Sequence, residues 1–127
     1  TYSDKNVKHD INDIEPGLNE LLKLRPVQYR YNETIDLDNS LRYGLIAQEV
    51  QTILPTVVKS EDTDMNQETG EKVVTKGEYL GLNYMDLIPV VIKSVQEQQE
   101  IIEKQEEKIE KLEQQIEELK QLIQNNK

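Results

Sequence analysis

A serine and a lysine stand five residues apart near the start of the sequence, at Ser3 and Lys8. A serine hydroxyl is a poor nucleophile until a base removes its proton, and a lysine can be that base where burial or nearby cations lower its pKa. Such a pair needs no histidine, and the chain has only one, His9. A Ser-Lys site also needs donors for the oxyanion, which the sequence does not identify. Serine and lysine five residues apart are common in solvated turns. The pair alone is therefore weak evidence for a catalytic site, and the surrounding sequence has to support it.

The composition excludes several other kinds of site. A net charge of −10 opposes binding to nucleic acid, whose phosphates require a Lys/Arg-rich face, and to anionic membranes. The absence of cysteine removes thiol catalysis, disulfides and zinc–thiolate sites. The acidic residues Glu61, Asp62 and Asp64 lack the complete ligand spacing of a calcium loop, and no apolar run is long enough to span a membrane. The sequence therefore predicts no metal, no cofactor, no nucleic acid and no membrane partner.

The first 83 residues predict a small α+β body of short strands and short helices. Alternation of apolar and polar residues indicates the strands, a period of 3.6 indicates the helices, and proline and glycine separate them. The predicted helices are 16–24, with Pro16 in the first turn, and 44–54, ended by Pro55; the predicted strands are 26–31, 56–59, 73–75 and 79–82; a polar connection covers 32–40, a loop or hairpin tip covers 60–71, and a turn lies at Lys76 and Gly77. In place of Phe and Trp, the core and interface are expected to use tyrosines: Tyr29, Tyr31, Tyr43, Tyr79 and Tyr84. Leu45, Ile46, Val50, Ile53 and Leu54 are expected to share the core face of the second helix.

From residue 84 to the end, a heptad repeat predicts one long coiled-coil helix. Only Pro89 interrupts the helical pattern, and a proline there is expected in the first turn or at a kink. Position a falls on Ile88, Val95, Ile102, Ile109, Ile116 and Ile123, and position d falls on Val91, Gln98, Gln105, Leu112 and Leu119. A 3.5-residue repeat held over this length is typical of a coiled coil and not of a solitary surface helix.

The heptads alone leave the number of strands open between two and three. Lys108 at position g and Glu113 at position e have the spacing that pairs across a parallel interface. Ile at a with Leu at d favours two strands, whereas Ile101 and Leu122 at position g widen the apolar seam. The two glutamines at d place polar groups in the core, which lowers stability and can specify register or oligomer number.

Four separated segments, in order, resemble the Peptidase S74 family of intramolecular chaperone and auto-processing domains. The first is Ser3-Asp4-Lys5-Asn6-Val7-Lys8, which matches the family pattern Ser-Asp-x-x-x-Lys. The second is 21–31, similar to Leu-x-x-Leu-x-Pro-Val-x-Tyr-x-Tyr; the third and most distinctive is 43–55; the fourth is 84–93, which leads into the coiled coil. The acidic stretch 60–71 cannot be matched residue by residue.

The resemblance implies a C-terminal module of a homotrimeric fibrous protein, such as a phage tail spike or an endosialidase. It implies a body, 1–83, and a helix, 84–127, in a parallel trimeric coiled coil that aligns three chains. The partners would be other copies of this chain and the upstream fibrous domain of the same polypeptide, which the module helps to fold. By this resemblance Ser3 is the nucleophile and Lys8 the general base of a single-turnover autoproteolytic serine peptidase. The implied location is the host-cell cytoplasm during phage assembly, before release from the mature virion protein.

The sequence leaves two questions open: which bond next to Ser3 is cleaved, and to which class of protein the chain belongs. A serine hydroxyl reaches the preceding carbonyl through a five-membered ring, which would cut between Tyr2 and Ser3, whereas a cut after Ser3 would require another group or chain. A non-cleaving trimerisation or adhesion module would keep the heptads and need neither Ser3 nor Lys8. The processing domain of a membrane-bound transcription factor is a third interpretation, and the acidic, cysteine-free composition disfavours it.

Overall fold

Two short antiparallel sheets and two short helices precede one long helix in residues 1–126, which are the residues that the computed structural model describes. The elements are α1 (Leu18–Leu21), β1 (Val27–Tyr29), β2 (Arg42–Gly44), α2 (Ala47–Gln51), β3 (Val58–Met65), β4 (Lys72–Leu82) and α3 (Leu87–Asn125), with short 3-10 turns at Lys5–Val7, Pro55–Val57 and Tyr84–Asp86. The predicted α+β class is confirmed. The first predicted helix and the first predicted strand are also present, each shorter than expected.

The first sheet contains a strand that the sequence does not predict. Strand β2 pairs with β1 from Val27 opposite Gly44 to Tyr29 opposite Arg42. Its partner lies on the far side of the polar connection, so the pairing that makes it a strand is not local. With three residues, it is also too short to show an alternating pattern.

The predicted helix 44–54 is wrong at both ends, and α2 ends at Gln51, well before Pro55. The first residue of the predicted helix belongs to β2, and α2 begins only at Ala47, because Ile46 has an extended backbone with φ −98° and ψ 119°. The Leu45 N–H instead donates to the hydroxyl of Tyr84, at 3.0 Å. Residues 45–46 therefore match a helical period in the sequence, although they precede α2 and do not belong to a helix.

The second sheet is a hairpin that is longer and more polar than predicted. Strand β3 runs through much of the predicted loop 60–71, and the hairpin tip narrows to 66–71. At the tip, Asn66 Oδ1 accepts from the Glu68 N–H at 2.9 Å, and Gly70 adopts a positive φ of 72°. The predicted turn at 76–77 is wrong: β4 is continuous there, although the pairing steps from Lys59 opposite Gly81 to Glu61 opposite Lys76.

Helix α3 carries the core on one side. Among the residues whose burial the structure describes, the buried apolar ones are Leu18, Val50, Leu54, Val57, Leu87 and Val90. Ser94 is also buried, and its hydroxyl donates to the Val90 carbonyl at 2.7 Å, so this buried polar group has a hydrogen-bond partner. Ile46 is exposed and lies outside this core, in contrast to the expectation.

The length of α3 confirms the predicted C-terminal helix, which runs for 39 residues. Pro89 is its third residue, where the missing N–H has no intrahelical partner, so the first-turn alternative is correct and no kink is required. Within the described part of the chain, no helix is both long enough and apolar enough to cross a bilayer.

Candidate Ser-Lys site

The structure brings Ser3 and Lys8 into contact. Lys8 Nζ donates a hydrogen bond to Ser3 Oγ at 3.0 Å. This is within the range expected of a nucleophile and its base before substrate is positioned. Both side chains are exposed to solvent in the single chain.

A single 3-10 turn, Lys5–Val7, produces this contact. The Val7 N–H donates to the Asp4 carbonyl at 3.1 Å, and the Lys8 N–H donates to the Lys5 carbonyl at 3.2 Å. The Asp4 side chain also accepts a hydrogen bond, from the Asn6 N–H at 2.9 Å. The intervening side chains are exposed, so the backbone of the turn, and not packing by those side chains, brings the two ends together.

The chain bends at Asp10, two residues after Lys8. Asp10 has a positive φ of 53°, a conformation in which Asp is enriched among residues other than glycine. His9 Nδ1 lies 2.8 Å from Asp10 Oδ2, and the two side chains are 93% and 88% exposed. The sequence reasoning considered His9 only as an alternative to lysine and missed this pair, which no periodic pattern could have indicated.

Helix α3 anchors the segment that follows the turn. Lys93 Nζ donates to the Ile14 carbonyl, and Glu97 Oε1 accepts from the Leu18 N–H at 3.4 Å. Glu20 Oε2 accepts from the Gly17 N–H at 2.8 Å, and this bond is the main cause that lowers the pKa of the Glu20 carboxyl. The polypeptide that carries Ser3 and Lys8 is thus tied to the long helix a few residues beyond the pair.

Exposure decides what the pair can do in the single chain. A lysine works as a general base only as the neutral amine, and removal of water or a nearby cation is what favours that form. The Ser3 and Lys8 side chains are open to solvent, so for Lys8 to act as a base a further surface would have to cover the pair and exclude water from it. The geometry itself is a serine hydroxyl held beside a lysine amine.

The Ser3–Lys8 pair lies within a range of the chain that matches a known protein family. Residues 3–59 match the Peptidase S74 family model, described as chaperone of endosialidase. The resemblance inferred from the sequence is confirmed over this range, which we call the S74 segment. The match begins at Ser3, includes the first three of the four motif segments, and ends in β3. No curated protein matched the sequence.

Within the S74 segment, Tyr29 and Tyr31 pack against each other at the end of β1. The rings of Tyr29 and Tyr31 meet edge to face, with centroids 5.2 Å apart. The Tyr29 hydroxyl donates to that of Tyr31 at 3.3 Å, and this bond is the main cause that raises the pKa of Tyr29. Tyr43 and Tyr79, by contrast, are 80% and 66% exposed, so they do not belong to the core of the single chain, and their place at an interface stays a prediction.

A second contact in the S74 segment holds α2 against the chain before β1. Arg25 binds Glu49 through two parallel hydrogen bonds, Nε to Oε1 at 2.9 Å and Nη2 to Oε2 at 3.0 Å. The guanidinium lowers the pKa of the Glu49 carboxyl. Gln48 and Glu49 appear in the sequence as polar positions on a helix, and Glu49 has this structural role.

Proposed function

We propose that this chain is a chaperone module that assembles three copies of an upstream fibrous segment and then releases itself by peptide-bond cleavage at Ser3. The observation that carries the cleavage proposal is the hydrogen bond from Lys8 to Ser3, within residues that match a family of peptidase-related chaperones. The assembly proposal depends on helix α3.

The core and the heptad seam use different sides of α3, which supports assembly. The residues of α3 that pack against the body or bond to it include Leu87 and Ser94 at position g, Val90 and Glu97 at position c, and Lys93 at position f. Position a is apolar throughout yet 45–57% exposed in the single chain. A coiled coil can therefore form along a and d without displacing the core.

The width of the exposed seam supports three strands over two. Beside the a and d residues, Ile92 at position e and Ile101 and Leu122 at position g are also exposed. Each helix in a larger bundle buries a wider stripe than in a two-stranded coil. The glutamines at the second and third d positions would then fix register, because a slip of one heptad would place a glutamine against Val91 or Leu112 of another copy.

The chemistry of the pair is an acyl shift followed by hydrolysis. Lys8 takes the proton of Ser3 Oγ as the oxygen attacks the Tyr2 carbonyl carbon through a five-membered ring. The Tyr2–Ser3 peptide bond breaks, its nitrogen receives the proton from Lys8, and an ester links Tyr2 to Ser3 Oγ. Water then hydrolyses the ester, which separates the upstream segment and returns the serine hydroxyl.

Cleavage after assembly would let the module guide folding of the fibrous segment first and leave it afterwards. Intertwined fibrous folds pair residues far apart in sequence, so they form slowly and are prone to misalignment. A coiled coil that joins three chains raises their effective concentration and aligns them. Release of the module afterwards leaves the client trapped by its slow unfolding.

Intact mass spectrometry of the chain joined to its native upstream segment tests this proposal. We expect the unaltered protein to split between Tyr2 and Ser3, and Ser3→Ala to stay whole. Lys8→Arg is the matched control for the base, because it retains a cation that cannot act as a neutral amine. Cleavage of the Ser3→Ala protein at the same bond would reject Ser3 as the nucleophile.

The exposure of Ser3 and Lys8 favours one second candidate, a trimerisation module that does not cleave. Sedimentation of the same samples separates the two. A trimer that stays whole in both the unaltered and the Ser3→Ala proteins would support an assembly clamp alone. A monomer at micromolar concentration would reject both candidates.

A further inference from the structure

Asp4 follows Ser3 and is the N-cap of the 3-10 turn Lys5–Val7; with its caps, Asp4 and Lys8, this turn brings Lys8 close to Ser3. An extended chain would separate the Cα atoms of residues five apart by roughly 17 Å, too far for the side chains to meet. The turn closes this distance, and it begins at Asp4, whose own backbone is extended with φ −63° and ψ 134°. Whatever stabilises the turn therefore controls whether the nucleophile meets its base.

The Asp4 side chain is the only one in the Asp4–Lys8 turn with a hydrogen bond to the turn backbone among the described residues. Its Oδ1 accepts from the Asn6 N–H at 2.9 Å, which satisfies an N–H that has no partner within so short a turn. The carboxylate here acts as an acceptor, a role that an asparagine carbonyl fills equally well.

We propose that Asp4 is a positioning residue for cleavage, acting through Ser3 and Lys8 by capping the turn and not by its charge. This inference rests on the proposed function and adds to it the group that sets the geometry of the pair. It accounts physically for an Asp directly after the serine and for three exposed positions before the lysine.

Substitutions at Asp4 separate geometry from charge. In the chain joined to its upstream segment, Asp4→Ala should slow cleavage about fivefold, the factor that a typical cap contributes, whereas Asp4→Asn should cleave near the unaltered rate. The dependence of the Asp4→Ala rate on pH should keep its shape. If Asp4→Asn is as slow as Asp4→Ala and its pH profile is displaced, the carboxylate acts by charge and the proposal is overturned.

A compensating substitution at Lys5 tests the turn independently. Proline is accepted at the first helical position and requires an extended residue before it, which Asp4 already is. Lys5→Pro should therefore restore part of the rate lost in Asp4→Ala, with Lys5→Ala in the same background as the control for the lost cation. Equal rates in the two double variants would overturn the proposal.

Nuclear Overhauser contacts between the Ser3 and Lys8 side chains give a readout that does not need cleavage. We expect these contacts in the unaltered chain and in Asp4→Asn, and weaker ones in Asp4→Ala. If the contacts depend on Asp4 but no variant cleaves, positioning stands and the proposed function fails. If Asp4→Ala keeps the contacts in full, Asp4 is not the positioning residue, whatever the cleavage rate.

Discussion

At the scale of single residues, two glutamates of the S74 segment accept hydrogen bonds, one from a backbone N–H and one from an arginine side chain. Glu20 accepts from the Gly17 N–H, and Glu49 is bound by Arg25 through two hydrogen bonds. Both contacts favour the ionised carboxylate, and both lower the pKa of the glutamate concerned. A group with a lowered pKa in the folded state stabilises the fold above its unfolded value, and this contribution is lost as pH falls through the folded value.

The pH dependence of stability follows from these two glutamates. We expect the midpoint of thermal unfolding to decline as pH falls below about 4.5, the ordinary value for glutamate. The Glu20→Gln and Glu49→Gln double variant should show a shallower decline, because neither glutamine can be protonated in this range. Glu68→Gln, at the exposed hairpin tip, is the control and should follow the unaltered chain. A double variant with the same slope as that control would contradict the assignment.

At the scale of elements, β2 meets the 3-10 turn that precedes α3 at a close contact between Gly44 and Tyr84. A Cβ atom at Gly44 would lie 2.6 Å from the Tyr84 hydroxyl oxygen and 3.1 Å from Cε1 of Tyr29. The same hydroxyl accepts the Leu45 N–H, so it cannot move away without leaving that donor unpaired. The junction between the S74 segment and the long helix thus requires a residue without a side chain at Gly44.

Alanine at Gly44 should loosen this junction. We expect Gly44→Ala to lower the free energy of unfolding by roughly 1–3 kcal/mol, the range for overpacking a closely packed contact. Gly81→Ala is the matched control, since the nearest atom to its added Cβ would be the Lys59 carbonyl oxygen at 4.0 Å. Urea denaturation of both variants measures the difference. Equal losses would show that backbone freedom, and not the approach of Tyr84, accounts for the glycine.

The same elements show which structural features are readable from sequence. Helix α3 was predicted because its repeat is long and its signal adds over many turns. Strand β2 is missed because it is short and its partner is distant, and the hairpin is predicted too short because residues 60–64 of β3 are all polar and show no alternation with apolar residues. The Ser3–Lys8 pair was named from residue types and family motifs, whereas the contact itself depends on a turn that spacing alone does not fix.

At the scale of the whole molecule, the single chain exposes both the heptad seam of α3 and the Ser3–Lys8 pair to solvent. The packing of the body on α3 leaves positions a and d exposed, and the Lys8 side chain is also exposed. If three copies assemble as proposed, the seam is buried and two further bodies lie close to each N-terminal segment. Because each chain carries a net charge of −10, added salt should strengthen assembly by screening the repulsion among copies.

Charges placed in the seam test whether assembly controls cleavage. Ile109→Asp with Ile116→Asp should give a monomer whose body stays folded, because the body packs on other positions of α3. Gln114→Asp with Gln121→Asp adds the same two charges on the outer face and should leave the trimer intact. Sedimentation measures the oligomer, and mass spectrometry of the chain joined to its upstream segment measures cleavage. We expect the seam variant to cleave about tenfold more slowly or worse, as the effective concentration of neighbouring copies is lost. A folded monomer that cleaves as fast as the outer-face control would mean that each chain completes its own site, and the desolvating surface would then have to be the upstream segment itself.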